Sequence, residues 1–174
     1  MNGDARYRHA YDCCLAHAGR LRWAAGRLLP YLPFDAATLT TLDAVDVAVV
    51  DQLLTRFGQL QDAMGGRLFP AVLELTKEQG GLSAFIDKLN RLEKIGALVS
   101  AAGWLELREV RNSLVHDYPE DPQLQAATVN RVAELVDTLL TTLDAVDRFA
   151  RCYLPQEESM DLENRGTKGD HDDR

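Results

Sequence analysis

The densest run of groups able to do proton-transfer or phosphate chemistry is LREVRNSLVHDYPEDP, Leu107 to Pro122. It gathers Arg111, Asn112, His116, Asp117 and Tyr118 at what reads as a helix end, because Pro119 cannot continue a helix and disfavours the α conformation for Tyr118 before it. A histidine titrates near neutral pH and can serve as base or acid. A guanidinium offers a two-pronged fork to the charge that develops on a phosphate. The amide of Asn112 could orient His116 one turn away or bind phosphate itself. On a helix advancing about 100° per residue, Arg111 and Tyr118 fall within about 20° of each other, and Asn112 and His116, four apart, share a line. Arg111 and His116 diverge by about 140°, so they meet on one atom only if the last turn distorts or a second copy of the chain supplies the missing group. An Arg and a His in a final helical turn also suit the helix dipole and can cap its carbonyls, so the residues alone leave a purely structural role open.

Other chemistries find no support. The chain lacks HExxH, CxxC, GxxxxGK and GxGxxG patterns, so neither a metal nor a nucleotide or other cofactor is expected. Three cysteines, two adjacent (Cys13, Cys14) and one remote (Cys152), suit neither a disulfide framework nor a zinc site and read as reduced thiols. No apolar run is long enough for a membrane span and no signal peptide opens the chain, which points to a soluble, cytoplasmic protein without a membrane partner. A net charge of -8 argues against a broad basic surface for sequence-independent nucleic-acid binding, and no DNA partner is expected. That charge is uneven. Residues 1–30 carry five Arg against two Asp, whereas residues 155–174 carry three basic against seven acidic residues, with almost nothing to bury. Hence the expected organisation is a helical domain over 1–154 and an acidic, disordered tail over 155–174.

The elements that must position the motif are helices, since apolar residues recur at three and four rather than alternately. Asp4 is expected to cap a first helix that ends before Pro30. A second starts near Thr41 with Leu42, Val45, Val49 and Leu53, and is bent or divided at Gly65, Gly66 and Pro70. Ser83 is expected to cap a short helix closed by Gly96. The motif helix follows from about Ala101 with Trp104, Leu105, Leu107, Val110 and Leu114 inward. A last long helix after Pro122 carries apolar positions from Leu124 to Tyr153. The fold class is therefore all-α, an antiparallel bundle of four to five helices. The heptapeptide TTLDAVD occurs at Thr40–Asp46 and again at Thr141–Asp147, but the flanks differ, so it reads as two similar amphipathic turns rather than a duplication.

The pattern Arg111, four residues, His116, one residue, Tyr118, with Asn112 directly after the Arg, resembles the signature of the HEPN superfamily (higher eukaryotes and prokaryotes nucleotide-binding). Within it, Asn112 and the acidic DYPEDP segment are most similar to the HepT-like proteins encoded beside a minimal nucleotidyltransferase. The resemblance in helix order runs from about Tyr7 to Tyr153 and leaves out the tail. It implies a homodimer with two motifs facing each other, working as a metal-independent endoribonuclease on an RNA substrate, with Arg111, Asn112 and His116 as catalytic residues. It further implies the toxin half of a type II toxin-antitoxin pair, silenced when a nucleotidyltransferase antitoxin transfers AMP to Tyr118. The alternative is a non-catalytic helical subunit that presents substrate to a nucleotidyltransferase, or a bundle with an interaction role alone. Outside the motif, Arg108 is expected to be solvated or salt-bridged near Glu106 and Glu109. Cys13 and Cys14 are expected at or near the core. His9 and His17, with Arg6, Arg8, Arg20, Arg22 and Arg27, read first as a solvated face and second as the best additional contact for RNA phosphates or an acidic partner.

Overall fold

A computed structural model describes residues 2–116 and 121–155, apart from the side chains of residues 115 and 116. Asp117, Tyr118 and the expected tail beyond Pro155 lie outside the described residues. The described chain is all-helical: α1 (Gly3–Leu28), α2 (Ala36–Thr40), α3 (Ala44–Ala63), α4 (Phe69–Leu75), α5 (Phe85–Lys94), α6 (Ala101–His116) and α7 (Pro122–Arg151). No strand occurs among the described residues.

Helix ends follow local chemistry, with two departures from expectation. The N-cap of α1 is Asn2, whose side chain accepts from the Ala5 amide at 2.9 Å, and Asp4 sits inside the first turn where it meets the positive end of the dipole. The residue before α5 is Ala84 and makes no side-chain cap, so Ser83 does not play that part. Asp43 caps α3 by accepting from the Asp46 amide at 2.8 Å, and Asp121 caps α7, whose first residue is Pro122. Gly96, at φ +81°, turns the chain out of α5 in the left-handed region that a side chain would resist.

The bend expected at Gly65, Gly66 and Pro70 is a change of pitch rather than a break. A π-helical turn, Met64–Leu68, joins α3 to α4 and lets Pro70 enter at the start of α4, where its missing amide is harmless. A Cβ on Gly65 would lie 3.5 Å from the Trp104 ring and 3.6 Å from Phe85, so the small residue lets α5 and α6 close on the turn. The short α2, capped by Asp35, is an element that periodicity did not signal.

Helix α1 runs antiparallel to the α3–α4 rod along its whole length. Arg27 meets Asp46, His17 meets Arg56, Cys13 meets Arg67 and Arg6 meets Glu74 in that order. Tyr7, Cys14, Leu21 and Leu28 of α1 pack with Leu53, Phe57 and Leu60 of α3 and with Val132, Leu139, Leu143 and Val146 of α7 in one continuous core. Within it the Phe69 and Trp104 rings stand 4.5 Å apart at 59°, fixing α6 against α4. Asn130 of α7 brackets Phe34, accepting from its amide and donating to its carbonyl at 2.8 Å each, and so holds the α1–α3 connection down. Leu105, expected inside, is exposed instead, as are Val45, Leu124 and Tyr153 among the apolar positions of their helices.

Candidate functional site

Helix α6 carries Arg111, Asn112 and His116 in its last two turns. Trp104 and Leu107 are buried, with Val110 and Leu114 packed at the core edge, and this anchoring sets the rotation of the helix. Arg111 thereby faces α3. Its aliphatic stem passes Gly58, where an added Cβ would sit 3.7 Å from Arg111 Cγ, so the glycine leaves room for the side chain to lie against α3. At its tip, Arg111 Nη2 donates to Asp62 Oδ2 at 2.5 Å, and Nη1 donates to Asn112 Oδ1 at 3.3 Å. The third nitrogen, Nε, is buried and has no partner. A half-buried guanidinium with an unsatisfied N–H carries a cost.

Two hollows flank this pair. One, of about 270 Å³, is lined by Leu54, Thr55, Gly58, Gln59, Asp62, Arg111 and Leu114. The other, of about 260 Å³, lies toward the π-helical turn and takes in Gln61, Asp62, Gly65, Phe85, Arg108 and Asn112 as well as Arg111. Both share Asp62 and Arg111, so the two hollows adjoin at the ion pair and together make a groove along α3 and α6. Arg108 overlooks the second hollow from above the Phe85 ring, 4.6 Å from its centre. Arg108 is exposed, the solvated of its two expected states, and rests on this ring, while Glu106 pairs with Arg131 of α7.

The sequence motif is thus brought together in part. Arg111 and Asn112 touch, and His116 ends the same helix one turn after Asn112, its side chain outside what is described. Tyr118 lies beyond the described residues. Asp62 is the partner that no local pattern reveals, since it reaches Arg111 across 49 positions of sequence. Among the described residues, no group of His, Cys, Asp and Glu side chains is arranged to hold a metal ion, and no helix is long and apolar enough to cross a membrane.

A larger hollow, about 520 Å³, lies elsewhere, between the start of α1 and the end of α7. Its floor is Asp147, which accepts from Tyr7 Oη at 2.9 Å and from Arg151 Nε at 2.7 Å. Burial first, and then the hydrogen bond to Asp147, pushes the Tyr7 phenol far above its ordinary value, and Tyr11 beside it moves the same way. Both phenols hold their protons at neutral pH, so this cluster is a satisfied hydrogen-bond network rather than a source of acid or base.

The cysteines are free thiols: Cys14 is fully buried, with burial pushing its thiol up to about 12, Cys13 sits at the core edge and Cys152 is exposed. No family model, no curated protein and no solved structure matches the chain.

Proposed function

We propose that the chain is a HEPN-type, metal-independent endoribonuclease, the HepT-like toxin of a toxin-antitoxin pair, acting in the cytoplasm as a homodimer. The observation that supports this most is Arg111: a half-buried guanidinium lining two adjoining hollows, on the helix that ends in His116. In a dimer with two such helices facing each other, one His116 takes the proton of an RNA 2'-hydroxyl. The 2'-oxygen bonds to the adjacent phosphorus, the P–O5' bond breaks, and the second His116 protonates the leaving oxygen. Arg111 stabilises the charge on the phosphate, with Asn112 holding its Nη1. The products are a 2',3'-cyclic phosphate and a 5'-hydroxyl.

Silencing follows from the same electrostatics. A nucleotidyltransferase antitoxin directs the Tyr118 oxygen onto the α-phosphorus of ATP, pyrophosphate leaves, and the AMP so attached places a negative phosphodiester beside Arg111 and His116. The expected result is that Arg111→Ala and His116→Ala each lower RNA cleavage by about 100-fold or more while the dimer persists in light scattering. Co-expression with the transferase should add AMP mass increments that Tyr118→Phe abolishes. Wild-type protein free of AMP that cleaves no RNA overturns this reading.

A second reading has one observation in its favour: Asp62 already occupies one prong of Arg111. On it the chain is a non-catalytic helical partner of a nucleotidyltransferase, and His116→Ala leaves its complex and its function intact.

A further inference from the structure

The basic residues of α1 separate into two kinds. Arg6 pairs with Glu74, Arg27 with Asp46, and Arg22 lies 3.9 Å from Asp144. Arg20 belongs to another face, where Cys13, His17 and Arg20 recur at four and three residues and look toward α3 and the π-helical turn. From that side come Arg56 and Arg67. Arg56 Nη1 lies 3.3 Å from His17 Nδ1 and 2.7 Å from Gln59 Oε1, and Arg67 Nη1 lies 3.7 Å from Cys13 Sγ. The Nε of Arg56 is buried and, like that of Arg111, has no partner. Among the described residues no carboxylate pairs with Arg20, Arg56 or Arg67.

The protonation of His17 follows from its neighbour. A guanidinium can only donate, so Nδ1 accepts from Arg56, and the ring is neutral with its proton on Nε2, a further donor. In keeping with this, burial holds His17 below the ordinary histidine range, and Arg56, Arg20 and Arg67 push it further down. Among the described residues, the charged groups that act on the ring are these three cations. Three like charges gathered without a counter-charge repel one another, and an anion seated between them removes that cost.

We propose that His17, Arg20, Arg56 and Arg67 form a phosphodiester-binding site that seats the RNA strand next to the Arg111 groove. The proposal rests on the ribonuclease reading for the identity of the strand. The link between the two places is Gln59, which accepts from Arg56 and also lines the groove with Asp62 and Arg111. A phosphate on Arg56 therefore lies one side chain away from the groove, where the next part of the same strand would meet Arg111. Guanidinium forks match phosphate oxygens in pairs, and the neutral His17 Nε2–H adds a donor that carries no charge.

The test uses the full chain and a single-stranded RNA with 2'-O-methyl sugars, which cannot be cleaved, followed by fluorescence anisotropy across a salt series. Arg20→Gln/Arg67→Gln alters two exposed side chains, so folding is spared, and Arg56→Gln removes the central fork. Each lost phosphate contact should lower the slope of log affinity against log salt by about 0.7 and weaken binding several-fold at moderate salt. Arg22→Gln, on the other face, should leave both unchanged. In NMR, the His17 ring should titrate at higher pH with the RNA bound, because a phosphate favours its cationic form. Wild-type affinity and slope in both variants overturn the site, as does displacement of the RNA by polyglutamate at equal charge concentration or failure of the wild type to bind. Cleavage of ordinary RNA, measured alongside, keeps the two readings apart. Intact cleavage with unchanged binding in the variants removes this site alone, whereas a wild type that binds through these arginines but never cleaves removes the nuclease alone.

Discussion

Two regions of the molecule hold an arginine against an aspartate, and they do so in opposite senses. At the end of α7 the acid is the buried member: the Asp147 side chain is 12% exposed against 67% for Arg151, and its two oxygens are taken by Tyr7 and Arg151. In the groove between α3 and α6 the base is the buried member: Arg111 is 26% exposed against 50% for Asp62, and a donor of Arg111 is left over. A buried acid whose two oxygens are both engaged by this chain's own donors is held by the fold, so the Asp147 cluster is scaffold. A half-buried cation whose acid partner is solvent-exposed and displaceable can take a ligand in that partner's place. The first arrangement recurs at Asp46, which accepts from Tyr31 Oη at 2.5 Å and from Arg27 Nε at 3.3 Å. Asp46 and Asp147 are the last residues of the two TTLDAVD segments, but the backbones differ: Asp43 caps the start of α3, while Asp144 lies well inside α7. What the two copies share is an inward aspartate that finds tyrosine and arginine partners, which ordinary helix packing supplies without any duplication.

The largest effect that would break this contrast is on stability. Asp147→Ala leaves the buried Tyr7 hydroxyl without its acceptor and should cost about 2–4 kcal/mol in urea unfolding followed by circular dichroism. Asp62→Ala should change the same quantity by about 1 kcal/mol or less, because the pair it breaks is solvated on one side. Equal losses would mean that the groove pair is scaffold too.

Next in size is an alkaline effect that belongs to the tyrosine clusters. Tyr7, Tyr11 and Tyr31 are all pushed above the ordinary phenol value, Tyr7 and Tyr11 chiefly by burial and Tyr31 chiefly by its hydrogen bond to Asp46. Above about pH 10 the unfolded chain loses these protons while the folded chain keeps them. The folded state then binds more protons, so the stability present below that pH falls as pH rises. Melting temperature from pH 8 to 11.5 should decline beyond about pH 10, and Tyr7→Phe should make the decline shallower at a cost near neutrality of about 1 kcal/mol. A variant with the wild-type alkaline slope would show that the Tyr7–Asp147 contact does not govern it.

The contrast also explains what could be read before the fold was in view. Helix order, the start of α7 at Pro122, the turn at Gly96 and the inward Trp104 and Leu107 are local signals, carried by spacing, proline and glycine chemistry within one turn. Cap identity slipped by two residues at α1 because Asn2 and Asp4 are equally able acceptors ahead of the same apolar series, and only the backbone at Asn2, extended at φ -71° and ψ 167°, decides between them. The spacing of α6 points Leu105 inward, but it lies off the stripe that packing selects, as Leu124 does in α7, and single exposed apolar residues are common. Arg111 and Asn112 were visible as a motif. Asp62, Gln59, Arg56 and Arg67 were not, because their meaning arises only when α3 is laid against α1 and α6, and no spacing within α3 encodes that.

The smallest effect is the most discriminating about the groove. If Asp62 competes with phosphate for the Arg111 fork, Asp62→Asn removes a full negative charge from the groove floor yet keeps an oxygen that can still accept from Nη2. Binding of the 2'-O-methyl RNA should then tighten by about 0.5–1 kcal/mol, roughly two- to five-fold, with little change in unfolding midpoint. Removing any acid from an RNA-binding surface would do something similar, so the gain alone does not locate its cause. A double-mutant cycle does: in an Arg111→Ala background the Asp62→Asn gain should vanish if it acts through the guanidinium, and persist in full if it merely relieves long-range repulsion. Persistence would move Asp62 to the class of Asp147, an acid whose place is set by packing, and leave Arg111 as its structural partner.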